Sequence, residues 1–271
     1  MRNDMTKTEP ALTALSAAAA ELAVTESCKI LGLPTVRANH IPYAATAAKQ
    51  QLTATAFLAE LLAAEVDDRH TRRISRRINE AKFPRHKRLT DFDPDTIDTG
   101  LSALTLATLG QSAWIEAGHP VVLLGDSGTG KTHLLIGLGI AAAEHDKRVR
   151  YTTTAALVNE LIEAADAKQL TRTINRYARL DLLCLDELGY VHLDPRGAEL
   201  LFQIITAREE RASIAIASNA PFSEWGATFT DPRLAAAVVD RLTFNATIIN
   251  TGTSSYRLKT SLNKNNPNNN S

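Results

Sequence analysis

The feature that most restricts the fold is an eight-residue run, Gly125-Asp126-Ser127-Gly128-Thr129-Gly130-Lys131-Thr132. It stands between the apolar VVLL (121–124) and a Leu-, Ile- and Ala-rich stretch over 131–144. The run matches G-x-x-x-x-G-K-[ST] in full, and an expected strand before it and an expected helix after it are the context the pattern needs. Glycines let the backbone curl so that successive N–H groups meet one anion, and the helix N-terminus adds positive potential there. The residues point to a triphosphate. Gly125 to Thr132 form its cradle, Lys131 is a mobile cation for the β- and γ-phosphates of ATP, and the Thr132 hydroxyl is placed to ligate Mg²⁺.

Such a loop needs a sheet, and the sequence from Pro120 onward supplies one. Strands are expected at 149–153, 182–186, 214–218 and 246–250, alternating with helices at 155–166, 168–179, 195–211 and 232–242. Short apolar strands alternating with helices predict an α/β fold, a parallel sheet covered on both faces. Ahead of it, 11–24 and 44–68 are Ala- and Leu-rich and read as helices, with Gly32, Pro34 and Pro42 marking a loop between them. A third helix is expected over 69–82, ending before Pro84, and a fourth over 99–117. The chain thus reads as a helical N-terminal domain (1–90), a nucleotide-binding domain (91–260) and an Asn-rich tail (261–271) with no core-forming residues, expected to be disordered.

The strand Leu182-Leu183-Cys184-Leu185 ends in Asp186-Glu187, and carboxylates at that end of a parallel sheet face the ligand. Asp186 is expected in the Mg²⁺ shell, and Glu187 as the base that orients and deprotonates a water. Asn219 follows the strand IAIAS and can sense the γ-phosphate; an ordinary turn before Pro221 is the other reading. Arg241 closes a helix, where it either complements the helix dipole or reaches the γ-phosphate of a neighbouring subunit; Arg233 and Arg257 compete for that second role. Cys184 is expected to be buried and inert.

Lys+Arg and Asp+Glu number 30 each, yet the neutrality is a sum of unlike parts. Residues 69–88 carry nine basic residues against Glu80 alone. Arg69, Arg72, Arg73, Arg76 and Arg77 recur at helical spacing and fall on one face, suited to duplex DNA phosphates read without regard to sequence. Lys82, Arg85, Lys87 and Arg88 are expected to extend that surface. Carboxylates brought in by the fold are the alternative. The N-terminus has no signal-peptide pattern, no stretch is apolar enough to span a bilayer, and two cysteines fit a reducing compartment, so a cytoplasmic protein with no membrane partner is expected.

Taken together, RRISRRINEAKFPRHKRLTDFD (72–93), LLGDSGTGKTHL (123–134), LLCLDELGY (182–190), SNAPFSEWG (218–226), DRL (240–242) and SYRLK (255–259) resemble the IstB-like insertion-sequence ATP-binding proteins, AAA+ ATPases related to DnaC-type helicase loaders. The resemblance runs from about residue 26 to 260. It implies an AAA+ core behind a small all-α domain, ATP bound with Mg²⁺ at the interfaces of a homo-oligomer, ATP hydrolysis, and remodelling of duplex DNA for a transposase of the same insertion sequence. It supports Asn219 as a sensor and Arg241 as an arginine acting in trans. The stretch after the last strand is short, so the helical lid of many AAA+ proteins is not expected, and Arg257 is the candidate for the Arg such a lid would supply. A DnaC-type replicative helicase loader, whose N-terminal helices would grip a helicase, is the alternative; a small-molecule kinase fits less well, for want of an Arg-rich lid.

Overall fold

A computed structural model describes residues 16–94, 101–190 and 192–253. Arg257 and the tail over 261–271 lie outside them. The chain divides into two compact units, one up to Arg72 and one from Arg73 onward. The division therefore falls earlier than the expected boundary at 90, and it lies inside a helix.

The first unit holds α1 (Ala17–Leu31), α2 (Pro34–Lys49) and the start of α3 (Ala54–Ala81). Cys28, Val36 and Leu61 form its small core, with Leu33 and Phe57 against them. The loop expected over 32–42 is instead the turn before α2 and that helix's first half. Pro34 occupies the first helical turn, where its missing N–H costs nothing, and Pro42 is accommodated inside α2 on its exposed side. The buried Glu65 carboxylate of α3 accepts the free N–H groups of Thr35 (2.8 Å) and Val36 (3.2 Å), which no local pattern could foretell. The two helices expected at 44–68 and 69–82 are one continuous helix from Ala54.

The second unit is the expected α/β layer. α4 (Ala103–Gly110) and α5 (Ala113–Glu116) replace the single helix expected over 99–117, because Ser112 adopts a left-handed φ of 62° between them. Then follow β1 (Val121–Leu124), α6 (Lys131–Glu144), β2 (Val149–Thr153), α7 (Thr154–Asp166), α8 (Leu170–Ala178), β3 (Leu182–Leu188), α9 (Pro195–Arg208), β4 (Ser213–Ser218), α10 (Trp225–Phe229), α11 (Pro232–Thr243) and β5 (Thr247–Asn250). The sheet order is β2-β3-β4-β1-β5 and every pairing is parallel. The register sets Val121 beside Ala215 and Thr247, and Leu182 beside Ser213. Alternate strand residues fill two cores. Leu123, Tyr151, Cys184 and Ala217 face α6, α4 and α5, whereas Leu183, Leu185, Ile214 and Ile216 face α7, α9, α10 and α11. Among the described residues no helix is long and apolar enough to cross a membrane.

This topology brings the C-terminal ends of β1, β3 and β4 side by side, which is where an open parallel sheet binds ligands. The segment after α3 then packs along α6. Phe83 lies against Gly139, Leu89 against Gly137, and Phe92 against Gly130.

Candidate nucleotide site

A cleft of about 470 Å³ opens at those strand ends. Ser127, Gly128, Thr129, Gly130, Lys131 and Thr132 form its floor, and Asp186, Glu187 and Asn219 form one wall. The residues expected to bind and hydrolyse the nucleotide thus converge, apart from Gly125, Asp126 and Arg241. Gly125 and Asp126 stand behind the floor, where their carbonyls accept the Lys131 ammonium at 2.6 Å each. Thr129 is buried and ties the loop to the segment after β5 through the Thr251 hydroxyl (2.6 Å). Gly125, Gly128 and Gly130 all have positive φ, as the curl of the loop requires. At Gly130 a Cβ would come within 2.8 Å of the Phe92 ring, so the wall of the cleft closes directly on the glycine.

Asp186 is buried, and both its carboxylate oxygens are held. Oδ2 accepts the Tyr151 hydroxyl at 2.7 Å and Oδ1 accepts the Glu187 N–H at 2.9 Å. Burial, and next the bond to Asp186, push the Tyr151 hydroxyl far above its usual pKa, so it stays a donor. The next residue departs from regular strand. The β3–β4 register shifts between Leu185 and Leu188, and Glu187 takes a φ of 61°. A bulge with a left-handed non-glycine residue costs about 1–3 kcal/mol and persists only where the surroundings enforce it. Its effect is to leave Glu187 exposed in the cleft while its neighbours Asp186 and Leu188 stay buried.

Asn219 follows β4 on a turn held by Trp225. The indole N–H of this fully buried ring donates to the Ala220 carbonyl (3.1 Å), and Ser218 Oγ donates to the same carbonyl (2.8 Å). At Gly189 a Cβ would lie 2.7 Å from Ala220 Cβ, so the turns after β3 and β4 touch and set Glu187 near Asn219. The phrases LGY and SNAPFSEW thus supply the turns that shape the wall, and Tyr190 and Asn219 from them line the cleft.

Three site features were not legible. Phe92 sits edge-on to His133 at 5.4 Å and lines the cleft beside Gly130. Arg85 and Lys87 line the cleft as well. Both are exposed there, so the positive segment expected to extend the basic surface also reaches the rim of this cleft. The third is Tyr151, visible only once β2 is known to pair with β3. Cys184 is buried as expected, and burial raises its thiol pKa.

Arg241 lies elsewhere. It lines a cavity of about 230 Å³ with Gly118, His119, Ala212 and Asn245, at the N-terminal edge of the sheet, opposite the phosphate loop. It pairs with Glu209 (2.9 Å) and lies over the Phe202 ring (4.9 Å). Arg233 is exposed in the first turn of α11.

The arginines of α3 have more carboxylate company than the local sequence offers. In the first unit, Arg72 pairs with Glu65 (3.1 Å), and Arg69 approaches Glu65 at 3.6 Å and donates to the Gly32 carbonyl. In the second, Arg73 and Arg77 share Asp146 at 3.3 Å each, and Arg76 approaches Glu80 at 3.8 Å. Arg76 is the most exposed, at 66%.

The donor set fits ATP and Mg²⁺. A glycine-rich loop with its lysine, one hydroxyl at Thr132 and one oriented carboxylate at Asp186 are what a magnesium triphosphate needs, since Mg²⁺ keeps most of its water. The profile of the IstB-like ATP binding protein family matches residues 26–264. The chain belongs to that family. An insertion-sequence ATP-binding protein of Sinorhizobium fredii is 37% identical over 232 residues, 86% of this chain and 78% of that protein. The insertion sequence IS21 ATP-binding protein of Pseudomonas aeruginosa is 37% identical over 213 residues, 79% of this chain and 80% of that one. Among solved structures, AMPPCP-bound DnaA from Aquifex aeolicus has a TM-score of 0.51 at 22% identity, covering 68% of this chain and 56% of its own. DnaI has a TM-score of 0.50 at 17% identity, covering 61% of this chain and 90% of its own. This family member spans little more than half of the DnaA chain, and at such identities the likeness speaks for the fold. It is an ATP-binding protein on an AAA+ phosphate-loop fold.

Proposed function

We propose that the chain hydrolyses ATP with Mg²⁺ and, as a homo-oligomer on duplex DNA with ATP at the subunit interfaces, assists the transposase of an insertion sequence. The observation that carries the hydrolytic part is the strained, exposed Glu187 in one cleft with Lys131, Thr132, Asp186 and Asn219. Bound Mg²⁺ would neutralise charge on the β- and γ-phosphates. Thr132 and Asp186 would hold it, Lys131 would reach the γ-phosphate, Glu187 would take a proton from the attacking water, and Asn219 would report the γ-phosphate. Arg241, at the opposite sheet edge, would serve a neighbour's site. The names of the relatives support the transposition setting, and the exposed Arg76 supports phosphate contact.

The test is duplex DNA binding with ATP, ADP and no nucleotide, read by mobility and by particle size. ATP-dependent growth of particles on DNA is expected. Particles of one size in all three conditions would remove the oligomeric DNA reading, and a DnaC-type loader would then fit the same core better.

A further inference from the structure

We propose a second anion site in the unit from Arg73 onward, a cleft that takes a phosphodiester of the DNA backbone; it rests on the duplex-binding reading above. The cleft, about 310 Å³, lies between the end of α3, the start of β2 and the end of α8, and Arg77, Glu80, Arg148, Arg150, Arg176 and Tyr177 line it. Four guanidinium groups thus meet one carboxylate. Three of them are set in place by ion pairs behind the lining. Arg148 is bidentate to Asp181 (2.8 and 3.1 Å), Arg77 meets Asp146 at 3.3 Å, and Arg176 meets Glu160.

Arg150 differs. It is half-buried, and its side chain has no hydrogen-bond or ion-pair partner among the described residues. Its charge reaches Glu160 only at a distance. Burial raises that carboxyl's pKa, but bonds from Tyr177 and Arg176, with the Arg150 charge, lower it on balance. A guanidinium drawn half out of water with no acceptor is uncompensated, and an anion in the cleft supplies what is missing. The planar forks suit phosphate oxygens. A backbone fits better than a single small anion because the positive charge continues outward. Arg172 and Arg176 on α8 and Arg179, its C-cap, recur at i, i+4 and i+7, and all three are exposed.

The experiment measures the affinity of the full chain for a short mixed-sequence duplex across a salt series, with ATP affinity and melting temperature as checks on the fold. Arg150→Ala should weaken duplex binding on the order of tenfold at low salt and make the salt slope shallower by about one. Arg172→Ala with Arg179→Ala, on the exposed helix face, should do the same without touching the half-buried position. ATP affinity should be unchanged in both, and Arg150→Lys should restore much of the loss. Wild-type duplex affinity and slope in both variants would overturn the proposal. If inorganic phosphate stabilises the wild type but not Arg150→Ala, and duplex affinity is unchanged, the DNA assignment also falls. A wild-type protein that binds no duplex would remove the DNA reading itself, a result distinct from failure of the variants alone.

Discussion

Lys131 holds the carbonyls of Gly125 and Asp126, so triphosphate binding exchanges two neutral acceptors for charged oxygens. Charge-assisted bonds of this kind contribute about 1.5–3 kcal/mol each. Lys131→Ala should therefore weaken ATP binding at least about a hundredfold in calorimetry. Unchanged affinity would refute the site. Tyr151 acts one step back, by fixing the Asp186 carboxylate it donates to. Tyr151→Phe should raise the Mg²⁺ concentration needed to support ATP binding several-fold, while metal-free ATP affinity stays as in the wild type. Equal loss with and without Mg²⁺ would mean that the ring only packs. The motif residues were legible because their chemistry is local. Tyr151 was not, since its partner lies 35 residues away on a strand whose neighbour the chain order does not specify.

At the scale of elements, strands and helices of the second unit fall close to where the apolar alternation places them; β1, β2 and α6 match residue for residue. The first unit was less legible because its loop-like prolines lie in a helix whose N-terminus is capped from another helix. Glu65 makes that cap, and its titration gives the contact a pH signature. Burial alone would raise its pKa, yet the Val36 and Thr35 amides and Arg72 outweigh burial and hold it below the ordinary value of 4.5. A carboxyl depressed on folding stabilises fully above its unfolded pKa, and that contribution is lost as pH falls through the folded one. Glu65→Ala should cost about 1–3 kcal/mol near neutral pH, from two amides and a guanidinium left without their acceptor. Denaturant titrations followed by helical circular dichroism should show this penalty shrinking as pH is lowered through and below 4.5. A penalty independent of pH would assign the loss to packing rather than charge.

For the whole molecule, a net charge of zero conceals a division of labour. The basic run 69–88 looks like one surface in sequence, but the fold separates it. Arg69 and Arg72 brace the first unit, Arg73 and Arg77 meet Asp146, and Arg85 and Lys87 reach the rim of the nucleotide cleft. Only a folded chain discloses this, because Asp146 is remote in sequence. The same holds for Arg241, which the sheet places at the edge opposite the phosphate loop. Arg241→Ala should keep ATP binding yet lose hydrolysis that depends on protein concentration. Mixing it with Lys131→Ala subunits should recover part of the turnover, because each variant supplies what the other lacks at a shared interface; turnover no higher than the two alone would argue against action in trans.

The left-handed backbone at Glu187 has a consequence for how such a protein can change. Glycine adopts that conformation freely, so Glu187→Gly should raise the unfolding free energy by about 1 kcal/mol and abolish ATP turnover together. A screen for heat resistance would reward that substitution, and a screen for turnover would discard it. On the proposed hydrolytic role, the position is thus a point of conflict between durability and work.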